Sequence, residues 1–192
     1  KLIGTGFFQN AGDTRRFGLD LDLRGQTNRF TGFVSYGLVE ATFASPLELP
    51  GNSEVNDATN EERGSLAVEP GDRLPGIPRH SFKTGIGIAM TTAWNIDLET
   101  IVSSSRVFVG DEGNDQAPLD GYGIANLRST YRFTPNLEMF VRIENILDTD
   151  YSTFGILAEL EVHLAEAPDA EDPRFLGPGA PRSGFAGIQV QF

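Results

Sequence analysis

The sequence predicts an all-β fold, an antiparallel transmembrane β-barrel, of which the chain supplies a C-terminal segment of about seven to eight strands. Three observations carry this reading. Apolar and polar residues alternate with a period of two along most of the chain. Short and long connectors alternate strictly between the alternating segments. Acidic charge gathers in the long connectors and not in the strands.

The first segment, 14–24, sets Phe17, Leu19, Leu21 and Leu23 against Arg16, Asp20, Asp22 and Arg24. A second runs over 29–43. In 81–91, Phe82, Thr84, Ile86, Ile88 and Met90 oppose Lys83, Gly85, Gly87 and Ala89. Segments 96–108 and 122–133 follow. In 137–147, Leu137, Met139, Val141 and Ile143 oppose Glu138, Phe140, Arg142 and Glu144. The last, 181–192, carries Gly184, Ala186, Ile188, Val190 and Phe192 on one side and Phe185, Gly187, Gln189 and Gln191 on the other. Residues 2–9 are a candidate eighth strand. Buried parallel strands would be apolar on both faces; these are apolar on one.

Connectors 25–28, 92–95 and 134–136 are short, whereas 44–80, 109–121 and 148–180 are long. An antiparallel wall sends all the short ones to one rim and all the long ones to the other, as in barrels with periplasmic turns and extracellular loops. Strands of about 11 residues, tilted by about 45°, suit the hydrocarbon thickness of a bilayer. The three long connectors hold 19 of the 27 Asp and Glu but only 4 of the 15 Lys and Arg. Aromatic girdles are expected at Phe30, Trp94, Phe133 and Phe192 on the turn rim, and at Phe17, Phe43, Phe82, Phe108 and Tyr122 on the loop rim. Strand phase directs Arg16, Arg24, Lys83, Arg128, Glu138, Arg142 and Glu144 to the lumen.

Bulk properties exclude other classes. A net charge of −12 and a pI near 4.5 argue against a nucleic-acid partner. No apolar run is long enough for a transmembrane helix, and no signal peptide opens the chain at Lys1. A start without Met, in mid-pattern, suggests that the true N-terminus lies upstream. With no cysteine there is no disulfide scaffold and no thiolate metal site. No nucleophile–base pair, P-loop or carboxylate dyad is present, Glu61 and Glu62 lying in polar loop, so no catalytic residue is assigned and an enzyme is not expected. Gly110–Gln116 is oxygen-rich but lacks calcium-loop spacing, so a solvated turn is expected. His80 reads as a structural residue at a strand start, and His163 has no second histidine in helical register. No metal site and no cofactor are assigned, and ligand-binding residues stay unidentified. The acidic stretch Ala158–Asp172 reads as a solvated loop.

Several stretches resemble the TonB-dependent receptors of the outer membrane: Phe8–Leu21 with its Asn10-Ala11-Gly12 and Gly18-Leu19-Asp20; Leu74–Phe82 with Pro75-Gly76-Ile77-Pro78-Arg79-His80; Leu137–Tyr151 with Asn145-Ile146-Leu147-Asp148-Thr149-Asp150-Tyr151; and the terminal strand ending in Phe192. The resemblance implies a barrel of about 22 strands enclosing a plug, in the outer membrane of a Gram-negative bacterium, importing a scarce nutrient such as an iron–siderophore chelate. This chain, 1–192, would be the C-terminal part of that single barrel domain, without the plug and earlier strands. Implied partners are outer-membrane lipid and lipopolysaccharide, the TonB complex through the plug region, a small nutrient cargo, and the barrel-assembly machinery, which would read Phe192. The alternatives are a passive channel or small complete barrel, and a soluble or adhesive β-protein.

Overall fold

The computed structural model describes residues 12–50, 65–157 and 172–192. Its strands are β1 (Thr14–Gln26), β2 (Phe30–Phe43), β3 (Leu47–Pro50), β4 (Ser65–Val68), β5 (His80–Ala89), β6 (Trp94–Ser103), β7 (Tyr122–Thr134), β8 (Leu137–Glu144), β9 (Ser152–Leu157), β10 (Arg174–Pro178) and β11 (Ser183–Val190). Seven of them form one sheet in the order β1-β2-β5-β6-β7-β8-β11, with every pairing antiparallel. These are the seven segments expected from the alternation. The candidate strand over 2–9 lies outside the described residues.

The phase established in β1 persists across the whole sheet. Arg24 stands opposite Phe33, Ser35 opposite Lys83, Gly85 opposite Glu99, Asp97 opposite Arg128, and Arg128 opposite Arg142. Opposed residues share a face, so all seven of the expected lumen residues fall on one polar face. The other face carries Leu19, Leu23, Leu98, Val141 and Ile188. Leu19, Leu23 and Ile188 are 58%, 57% and 70% exposed. An apolar stripe exposed on seven adjoining strands suits lipid and not water.

Three tight turns close one rim, at 27–29, 90–93 and 135–136. Thr27 and Thr91 open two of them, their hydroxyls accepting from Phe30 N at 2.9 Å and Trp94 N at 3.1 Å. At the third, Gln191 N donates to Asn136 O at 2.9 Å and Asn136 Nδ2 returns a bond to Gln191 O at 3.1 Å. That clasp brings the end of the chain to the turn rim. Phe30, Trp94, Phe133 and, by phase, Phe192 all lie on the apolar face there, so the turn-rim girdle holds.

The loop rim departs from expectation. Connectors 44–79 and 145–182 each contain a hairpin, β3–β4 and β9–β10, whose strands are too short for alternation to reveal. β6 stops at Ser103, because Ser103-Ser104-Ser105 ends the apolar pattern, and Val107 and Phe108 turn under the loops. The buried hydrophobic residues of the described chain are Ala41, Phe43, Val68, Val107, Phe108 and Leu119, all at this end. Of the expected loop-rim girdle, Phe17 and Phe82 lie on the apolar face. Phe43 and Phe108 are packed inside the loops, and Tyr122 lies on the polar-face phase against Tyr151, with centroids 4.6 Å apart.

Aromatic rings lie across glycines of neighbouring strands. A Cβ on Gly187 would meet Phe140 Cζ at 2.6 Å, whereas one on Gly184 would meet nothing within 4 Å. Gly187→Leu is therefore expected to destabilise the barrel by about 1–3 kcal/mol through overpacking, with Gly184→Ala near neutral. Urea unfolding in lipid vesicles measures both.

Candidate functional site

The polar face holds a hollow of about 760 Å³ lined by Asp22, Arg24, Phe33, Lys83, Asp97 and Glu99, among others. Its floor is the Phe33 ring resting on Gly85, which a side chain there would displace. Lys83 Nζ lies 2.9 Å from Glu99 Oε2 and 6.0 Å from the Phe33 centroid. Arg142 pairs with Glu144, and Arg132 Nη2 lies 3.8 Å from Glu138 Oε2. Arg128 sits 5.8 Å above Phe140. Among the described residues, Asp22, Arg24 and Asp97 have no ion-pair partner. A face that mixes settled pairs with unpaired charges of both signs is suited to contact a second polar surface or water, not lipid.

Asn145 binds the top of β8 to its surroundings. It is 1% exposed and adopts a left-handed φ of 48°, which asparagine tolerates better than most residues. Its backbone N donates to Asn126 Oδ1 at 3.0 Å, joining β8 to β7. Its Nδ2 donates to Thr149 O at 2.9 Å and to Ala180 O at 3.1 Å, and Oδ1 accepts from Thr149 N at 3.0 Å. Asp148, with φ 56°, accepts from Arg182 Nη2 at 3.0 Å. Tyr151 packs beneath Gly179. The stretch Asn145–Tyr151 is thus a knot that fixes where the chain leaves β8 and where it re-enters β11.

Two further clusters lie at this rim. Arg106 donates to Thr153 O at 2.9 Å and to Ser103 Oγ at 2.8 Å, with its guanidinium 5.9 Å from the Tyr122 centroid. Sequence reading missed Arg106, and the break in alternation over Ser103–Ser105 was its available signal. The Gly110–Gln116 loop is not a solvated turn. Asp111 is 2% exposed, and its carboxylate accepts from Asp115 N at 2.9 Å and from Gln116 N at 3.2 Å. Asn114 answers Arg73 in both directions, accepting from its N at 3.0 Å and donating to its O at 3.1 Å. Asp111 thus uses its oxygens to hold its own loop. Burial pushes its carboxyl above the ordinary 3.8, against the two backbone donors. Stability from this group is therefore fullest below 3.8 and declines as pH rises through the raised value.

His80 opens β5 as expected of a structural residue, its Nδ1 2.8 Å from the Tyr36 hydroxyl, with its N donating to Ser104 Oγ at 3.0 Å. His163, Glu61, Glu62 and nearly all of Ala158–Asp172 lie outside the described residues. Phe192 is fully exposed at the turn rim. Among the described residues no group of three or more His, Asp or Glu is placed to hold a metal ion.

Residues 2–146 match the family model described as TonB dependent receptor-like, beta-barrel. Among curated proteins none matches the sequence. Solved structures match in fold. The siderophore receptor PiuA from Acinetobacter baumannii superposes with a TM-score of 0.70 at 13% identity, over 93% of this chain and 22% of its own. The ferric yersiniabactin uptake receptor FyuA from Yersinia pestis gives 0.68 at 16%, over 95% and 24%. The copper transporter OprC gives 0.60 at 17%, over 94% and 24%. The chain thus spans less than a quarter of the length of each of these neighbours.

Proposed function

The chain belongs to the TonB-dependent receptor-like β-barrel family, and we propose that it forms the C-terminal stretch of wall of a receptor that imports a scarce nutrient across the outer membrane of a Gram-negative bacterium. The whole of 1–192 belongs to one barrel domain in this reading, with the plug and the earlier strands supplied by other parts of the protein. One observation supports it above the rest: a single phase divides seven strands into an apolar face fit for lipid and a charged face that carries Asp22, Arg24, Lys83, Asp97, Arg128 and Arg142. That charged face would meet the plug, through which the TonB complex delivers energy. The knotted outer rim would shape the mouth through which cargo enters, and the apolar face would meet outer-membrane lipid and lipopolysaccharide. The chemistry is binding and transport, not catalysis.

An iron–siderophore chelate is the cargo class favoured here, since PiuA is named a siderophore receptor and FyuA a ferric yersiniabactin uptake receptor. OprC, named a copper transporter, shows that the wall architecture accompanies other cargoes. The test is growth of a deletion strain under iron limitation, supplied with one siderophore at a time and complemented by the full-length receptor. Complemented growth on at least one ferric siderophore is the expected result. Growth indifferent to the gene on every iron source would sink the siderophore reading.

Phe192 is proposed as the residue read by the barrel-assembly machinery, because it follows an alternating strand and stands free at the turn rim. Deleting it from the full-length receptor is expected to reduce the folded, heat-modifiable outer-membrane form at least severalfold. Wild-type levels after deletion would reduce Phe192 to a lipid anchor.

A further inference from the structure

The buried hydrophobic residues of the described chain gather at the loop rim, at the top of β2 and in the connectors. Val107, Phe108 and Leu119 come from connector 104–121, Val68 from 44–79, and Phe43 from the top of β2. Gly155, in the third connector, lies so close to Phe108 that an added Cβ would meet the ring at 2.5 Å. Hydrogen bonds run the same way. Gly76 N donates to Val107 O at 2.9 Å, Val109 N to Gly155 O at 3.0 Å, and Leu157 N to Val109 O at 2.8 Å. Arg73 N donates to Asn114 Oδ1 at 3.0 Å. Each of these bonds has one end in 104–121.

Separate surface loops fluctuate separately, because little apolar surface is shared among them. Loops that share a buried core lose that independence, since opening one exposes the apolar side chains of the others, and they open as a cooperative unit. We propose that the described parts of the three long connectors form one cap that opens and closes as a single body, with 104–121 as its keystone. Access to the polar face from the loop rim is then all-or-none. Phe108 packs the keystone against Gly155 of the third connector, Val107 O and Asn114 bond it to Gly76 and Arg73 of the first, and the Asp111 carboxylate holds the keystone in the shape those contacts need. The inference rests on packing alone and stands whatever cargo the receptor carries.

Amide hydrogen exchange on the full-length receptor in lipid nanodiscs tests it, comparing wild type with Phe108→Ala and, separately, Asp111→Ala. The expected result is exchange faster by about tenfold or more at Arg73 and Gly76 on one side and at Leu157 on the other, in both variants. Wall amides at Leu98 and Leu127 should keep their wild-type rates. Acceleration confined to 104–121, or reaching only one neighbouring connector, overturns the proposal. Heat-modifiability on gels establishes that each variant is folded. Phe108→Leu, which keeps most of the apolar volume, provides a milder variant with the same readout and a smaller change in the same three segments.

Discussion

Replacing Asn145 with alanine is expected to destabilise the folded barrel by about 3–5 kcal/mol, the largest effect of any single side-chain truncation in the described chain. The side chain makes three hydrogen bonds in a site that is 1% exposed. Alanine would leave the carbonyls of Thr149 and Ala180 and the N–H of Thr149 without those partners, at a cost of about 1–3 kcal/mol for each group that water does not reach. It would also place a Cβ residue at φ 48° without the local hydrogen bonding that makes this conformation acceptable to asparagine. Asn145→Gly separates the two contributions, since glycine accepts the backbone but makes no side-chain bonds; its cost should fall about 1–2 kcal/mol below that of alanine. Reversible urea unfolding in lipid vesicles is the measurement. An alanine variant within about 1 kcal/mol of wild type would mean that the knot is held by its backbone alone.

The second large effect tests the faces. Leu98 stands between Ile86 and Leu127, near mid-height of the wall and on the apolar face. Leu98→Arg is expected to cost about 2–4 kcal/mol, the penalty for arginine near a bilayer midplane. Asn95, three residues away, has the opposite phase and pairs with Ala89 and Thr130. Asn95→Arg should change stability little, because its side chain reaches the polar face. Equal costs at the two positions would contradict the assignment of faces. Because one residue of slippage exchanges the faces of a strand, the comparison also tests register.

The wall was legible in the sequence because a strand buried on one side repeats every two residues, and that repeat is local. Phe82 to Ala89 shows it without reference to any other segment. The cap was not legible for the opposite reason. Val107 and Phe108 look like the end of a strand, and only the approach of Gly155 to the Phe108 ring and of Gly76 to Val107 O, both from distant connectors, shows what they hold together. Asp111 looked like a solvated acid because nothing near it in sequence reveals the packing above it. Hairpins β3–β4 and β9–β10 offer four to six residues per strand, too few to display a period. His80 could be placed because its Pro-Arg-His setting marks a strand start. The Asn145 stretch was recognisable as a pattern before its physical reason was visible: the left-handed turn and the bonds to Asn126 and Ala180 appear only once β7, β8 and β11 stand side by side.

The rings that rest on glycines have an evolutionary corollary. Phe140 and Gly187 occupy one volume between two strands, as do Phe33 with Gly85 and Phe108 with Gly155. Neither member of such a couple can change size alone, so relatives are expected to vary them together. A lineage that enlarges position 187 should shrink position 140, and a chain that loses Phe108 frees Gly155 to become an ordinary strand residue.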